Sequence, residues 1–165
     1  MLAILPFLSV SASAQDRGIC HGKSTERPHY MGMVSVNASP YIPSPVMPGL
    51  SLHTSHGAFF PRQSVYTGVS VEAVYSVIGV ATVSSHTRWF YPAADSKNAQ
   101  GYVGAEAGVG LDYATGGGAF FNGAVELGAV INFRKVSLDL GIRAQFLPPF
   151  ALNSFLLPVK IGLVF

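Results

Sequence analysis

From Val136 to Phe146 the chain alternates without a fault. Val136, Leu138, Leu140, Ile142, Ala144 and Phe146 fall on one side; Lys135, Ser137, Asp139, Gly141, Arg143 and Gln145 fall on the other. A helix would scatter these charges around its cylinder, whereas a strand sorts them onto one face, so the period of two dictates a β-strand. The preceding segment behaves alike: Phe121, Gly123, Val125, Leu127, Ala129, Ile131 and Phe133 oppose Asn122, Ala124, Glu126, Gly128, Val130, Asn132 and Arg134. Arg134-Lys135 leaves room only for a tight hairpin. The chain ends in a third such strand, with Phe155, Leu157, Val159, Ile161, Leu163 and Phe165 on one side and Lys160 and Gly162 on the other.

The same pattern recurs upstream over 30–38, 50–60, 65–76, 78–90 and 102–112, with turn chemistry such as Ala114-Thr-Gly-Gly-Gly118 in between. That makes eight strands. Composition narrows what their apolar faces can meet. Charged residues are 11% of the 165, against about 25% in an ordinary soluble domain, while apolar residues are 49% and mean hydropathy is +0.38. No window holds the roughly 18 unbroken apolar residues of a spanning helix. A greasy chain that spreads its apolar residues over alternate positions fits an all-β, eight-stranded antiparallel up-and-down transmembrane β-barrel over residues 30–165. An even strand number puts both ends of the barrel on the periplasmic side, the Pro-rich 38–49 connection outside and the 61–64 and 134–135 turns inside. The 91–100 connection then becomes an unusually long periplasmic turn.

Residues 1–14 read as a signal peptide: an apolar stretch to Val10, then Ala12-Ser13-Ala14 as an A-x-A-like cleavage site, though without a basic leader. Residues 15–29 are polar and aperiodic and read as a flexible linker. The single cysteine, Cys20, allows no intrachain disulfide. A net charge of +2 without any Lys/Arg cluster argues against nucleic acid as a partner.

Candidate functional groups sit on the polar faces. Glu72, Arg88, Glu106, Asp112, Glu126, Asp139, Arg143 and Lys160 all oppose the apolar side, five acids against three bases. Eight strands enclose an interior that side chains just fill, so these groups are expected to form a paired-charge network plugging the lumen, because burial tolerates charge only when paired. His53, Ser55 and His56 raise the question of hydrolysis, with Glu72 or Glu106 orienting a histidine. His53 and Ser55 share the lumen face, however, and no G-x-S-x-G elbow is present. His53 and His56 fall on opposite faces of one strand, so that pair is not a metal site. No phosphate loop or dinucleotide fingerprint occurs. The expectation is no catalytic residue, no cofactor and no metal. Aromatics near strand ends (Tyr30, Phe59, Phe60, Trp89, Phe90, Tyr91, Tyr113, Phe120, Phe121, Phe133, Phe146 and Phe165) suggest two interfacial girdles.

Three blocks carry a resemblance: Gly49-Leu-Ser-Leu-His-Thr-Ser-His-Gly57 with Tyr66-Thr-Gly-Val-Ser-Val-Glu72; Gly117-Gly-Ala-Phe-Phe-Asn-Gly-Ala-Val-Glu-Leu-Gly128; and the terminal Pro158-Val-Lys-Ile-Gly-Leu-Val-Phe165. Through them the chain resembles the small porin-like outer-membrane β-barrel proteins of the Bacteroidota over about residues 30–165. The resemblance implies a barrel in the cell outer membrane with a structural or surface-interaction role, and supplies no catalytic residue. The terminal Phe165 resembles the signal read by the barrel-assembly machinery. Expected partners are therefore outer-membrane lipid and that machinery. Two competing expectations remain: a soluble exported lipocalin-like barrel around a small apolar ligand, with its faces inverted, and, less favoured, an outer-membrane lipid hydrolase.

Overall fold

A computed structural model describes residues 27–39, 49–75, 79–92, 98–113, 116, 118–133, 136–147 and 155–165. The signal peptide at 1–14, most of the 15–29 linker and the Pro-rich stretch 40–48 lie outside the described residues. Period-two segments become strands in chain order: β1 (His29–Ser39), β2 (Gly49–Phe60), β3 (Val65–Tyr75), β4 (Gly79–Pro92), β5 (Ala99–Asp112), β6 (Gly118–Asn132), β7 (Ser137–Phe146), β8 (Phe155–Leu156) and β9 (Val159–Val164). No helix occurs among the described residues.

From β1 to β8 each strand pairs antiparallel with the next in sequence, and β9 pairs with both β7 and β1. The sheet therefore closes on itself. β8 and β9 continue one register along β7, from Phe146↔Phe155 to Ser137↔Val164, so together they are the eighth stave of an eight-stranded barrel. That stave was expected as one strand over 155–165 and is interrupted at Leu157-Pro158. Pro158 has no N–H to give to a ladder, but its carbonyl still accepts from the Arg143 N–H at 3.0 Å. Closure is finished by Phe165, whose N–H and carbonyl exchange hydrogen bonds of 2.9 and 2.8 Å with Gly32. The Phe165 ring packs over Gly32 and fills the space where a Cβ would stand, so a larger residue there would displace that ring. The long 91–100 turn is shorter than expected: β4 runs on to Pro92 and β5 begins at Ala99.

The two faces are chemically opposite. Outward lie Val34, Val36, Leu50, Leu52, Val69, Val71, Val83, Val103, Val109, Val125, Leu127, Leu140, Ile142, Ile161 and Leu163, all exposed. Inward lie the eight charged strand residues, all buried; Leu127 is 58% exposed and its neighbour Glu126 4%. Exposed aromatics bracket the apolar wall. Tyr30, Trp89, Tyr91, Phe133 and Phe165 ring the end that holds the β2–β3 turn, and Tyr75, Tyr113, Phe121 and Phe146 ring the other. Along β6 and the residue that follows it the wall runs from Phe121 to Phe133, which at about 3.3 Å per residue and a tilt of about 40° is about 30 Å, a bilayer core.

The girdle expectation needs one correction. Phe59 and Phe90 point inward, 5% and 2% exposed. With Met31, Met33, Tyr66, Tyr102, Val130 and Val164 they form an apolar plug at the β2–β3 turn end of the lumen. Val74, Val80, Leu147 and Leu156 form a second plug at the far end, and Phe120, also expected in a girdle, packs inward against them. The polar cluster lies between the two.

Candidate functional site: the lumen network

Alternation delivers one or two ionisable side chains to the lumen from each of seven strands. β2 gives His53, β3 Glu72, β4 His86 and Arg88, β5 Glu106, β6 Glu126, β7 Asp139 and Arg143, and β9 Lys160. Some meet as direct cross-strand neighbours: His53 opposite Glu72, His86 opposite Glu106, Glu126 opposite Arg143. The decisive contacts instead cross the barrel. Arg143 donates to Glu72 at 2.9 Å and to Glu106 at 2.6 Å. Arg88 donates through Nη1 to Asp139 at 2.9 Å, and through Nε and Nη2 to Glu126. Lys160 bridges Glu126 at 2.7 Å and Asp139 at 3.0 Å.

Neutral groups complete these shells. Glu72 also accepts from Ser51 at 2.6 Å, Gln145 at 2.7 Å and Asn37 at 3.2 Å. Tyr102 donates to Asp139 at 2.6 Å, and its ring lies 4.4 Å from the Arg88 guanidinium and 5.1 Å from the Lys160 ammonium. Room for that ring comes from Gly128 and Gly141, which face each other across β6 and β7 in the same row; a side chain on either would overlap the Tyr102 hydroxyl. Desolvating a charge costs several kcal/mol unless partners replace the water. Here each carboxylate of the cluster has at least one cation and one neutral donor or imidazole.

Seven of the eight sequence-predicted lumen charges thus meet in one connected cluster. The eighth, Asp112, is also buried but lies near the end of β5, opposite Val80 and Gly118. The aromatic members Tyr66 and Tyr102 were missed. Their signal was present, since both share the parity of Glu72 and Glu106, the face assigned to the lumen.

Hydrolytic chemistry takes a different form from the pairing considered in the sequence. Ser55 is partnered by His86, not His53: Ser55 Oγ lies 2.8 Å from His86 Nδ1, and His86 Nε2 lies 2.9 Å from Glu126 Oε1. This is a hydroxyl–imidazole–carboxylate chain. It is wholly buried, its hydroxyl is also held by Tyr66 at 2.7 Å, and plugs stand on both sides. A nucleophile must touch its substrate, and this one touches the protein's own side chains. His56 points outward, as its parity requires, against Tyr30 at 2.5 Å and Thr54 at 2.9 Å. His53 instead meets His86 and Glu106, three residues from three strands whose ligand-type atoms lie within 4.8 Å of one another. Inspecting pairs along one strand could not find that group.

No protein-family model and no curated protein matches this sequence. Solved structures do match in fold. Neisserial surface protein A (NspA) superposes with a TM-score of 0.67 at 13% identity, over 84% of this chain and 98% of that one. The N-terminal β-barrel domain of Pseudomonas aeruginosa OprF gives 0.56 at 11%, over 84% and 100%. The outer membrane enzyme PagL gives 0.50 at 11%, over 81% and 97%. At these identities the likeness is one of fold, a small closed eight-stranded barrel.

Proposed function

We propose that this chain is an integral outer-membrane β-barrel whose lumen is closed to solutes and which serves a structural or surface-interaction role without catalysis. One observation carries the reading: the apolar wall faces out and the charges face in. A soluble lipocalin-like barrel needs the reverse, with charges in water and an apolar ligand cavity inside. An apolar belt about as tall as a bilayer core, flanked by aromatic rings, suits lipid. Two apolar plugs and a paired-charge cluster between them support a sealed interior. The outer-membrane proteins sharing the fold support the location. Outer-membrane lipid is then the solvent of the wall, and the Phe165 strand is the segment presented to the barrel-assembly machinery. Any surface partner is met by the connections between strands, as is usual where a rigid scaffold displays its loops. Lipid hydrolysis is disfavoured because the Ser55–His86–Glu126 chain opens to neither lipid nor water.

The test has two arms. Outer-membrane fractions are run on gels without and with boiling; a folded barrel migrates differently before boiling. The purified protein is then placed in planar bilayers. A heat-dependent shift with no stepwise conductance is expected. Recovery in the soluble periplasm with no shift overturns the location, and steady single-channel steps overturn the sealed lumen.

A further inference from the structure

His53, His86 and Glu106 form the part of the lumen that ion pairing leaves unfinished. His53 Nε2 and Glu106 Oε1 face each other at 3.0 Å, and His86 Nε2 lies 3.6 Å from the same oxygen. The imidazoles are set edge to face with centroids 5.6 Å apart. Both His53 Nε2 and Glu106 Oε1 are buried without a completed hydrogen bond, although they are close. An orphaned buried polar atom costs about 1–3 kcal/mol, so two lying side by side call for a partner.

The far side of each residue is already held. Ser35 Oγ lies 3.4 Å from His53 Nδ1, and Ser55 Oγ lies 2.8 Å from His86 Nδ1. Glu106 Oε2 accepts from Arg143 at 2.6 Å and Ser70 at 3.2 Å. Metal-binding imidazoles and carboxylates are oriented in this manner, with the non-ligating atom tied to a neighbour. Spacing agrees. Zinc–nitrogen bonds of about 2.0–2.1 Å set tetrahedral donors about 3.3–3.4 Å apart, between the two distances above. His86 Nε2 is already engaged, 3.2 Å from the donating Arg88 Nε and 2.9 Å from Glu126 Oε1, so binding an ion requires Arg88 and Glu126 to release this atom and keep each other.

The connected cluster holds four carboxylates, Glu72, Glu106, Glu126 and Asp139, against three fixed cations, Arg88, Arg143 and Lys160. With neutral imidazoles the cluster carries a net charge of −1, and a bound divalent ion changes this to +1, so charge admits a cation here without selecting a divalent one.

We propose that His53, His86 and Glu106 hold one late first-row divalent cation, a zinc-type ion, inside the barrel. Two imidazole nitrogens and one carboxylate oxygen suit such an ion better than calcium or magnesium, which take oxygen sets. The ion is structural: it ties β2, β4 and β5 together across the lumen. With apolar plugs on both sides it enters before the barrel closes.

The experiment refolds the untagged full chain into detergent with zinc chloride, desalts it through a chelator and counts metal by atomic emission. About one zinc per folded barrel is expected, lost in His53→Gln and kept in His56→Gln, whose imidazole faces outward. Folding of each variant is scored by the gel shift. Little or no zinc in the folded wild type overturns the site, as does full retention by folded His53→Gln. Should His53→Gln not fold, Co2+ in the wild type decides. Intense visible absorption, as from a four-coordinate nitrogen–oxygen set, supports the site; the weak spectrum of free or octahedral Co2+ overturns it. Because folding is read separately from metal, failure of this site leaves the barrel assignment standing.

Discussion

Arg88 is the side chain on which the lumen cluster most depends. It lies between Glu126 and Asp139, and its plane rests on Tyr102. Removing one partner of a buried pair leaves the other uncompensated, at about 3–5 kcal/mol. Arg88→Ala is accordingly expected to lose about 3–5 kcal/mol in urea titrations of the folded barrel. Arg88→Lys should recover only part of this, because one ammonium cannot make the fork that serves both acids. An unchanged midpoint for Arg88→Ala would mean that the cluster is solvated and that the plugs leak. At this scale the sequence was informative about parity and silent about partners. It placed Arg88, Glu126 and Asp139 on one face. It did not show that Arg143 reaches Glu72 and Glu106, because such contacts depend on how far each strand is staggered around the barrel, which no single segment encodes.

Strands were legible because lipid on one side and a polar interior on the other impose the same alternation on every stave. β7 came out within two residues of its alternating segment, and β6 within three, for that reason. Strand ends were less legible. Phe59 and Phe60 are consecutive, so one must turn in and its neighbour out, and an aromatic near an end reads as girdle in either case. That ambiguity hid the inner plug built from Phe59 and Phe90. The outward wall itself makes a depth-dependent prediction. Leu127 lies midway between Phe121 and Phe133 on β6, so Leu127→Arg should cost about 2–4 kcal/mol in vesicle-folded protein, whereas Phe133→Arg at the rim should add only about 0–1 kcal/mol in charge cost. Equal costs at both depths would argue that the wall does not face hydrocarbon.

The molecule carries its own reporter of assembly. Its single tryptophan, Trp89, is 53% exposed on the outer wall and stacked with Tyr91 at 5.3 Å. Folding into vesicles should shift its emission to the blue, and lipids brominated near the headgroup should quench it more than lipids brominated at the chain end. Urea transitions followed by Trp89 emission and by far-ultraviolet circular dichroism should coincide, as for a two-state unit; separated midpoints would reveal an intermediate. The expected coincidence follows from where the ion pairs reach. Arg143 on β7 answers acids on β3 and β5, and Arg88 on β4 answers Asp139 on β7. A half-built sheet therefore displays guanidinium groups whose counter-charges have not yet arrived, and it would have to do so toward hydrocarbon. Strand-by-strand insertion is frustrated until the Phe165–Gly32 seam zips shut. Assembly becomes a cooperative ring-closing event, and the same sequestered charges that stabilise the finished barrel make partly open forms too costly to accumulate.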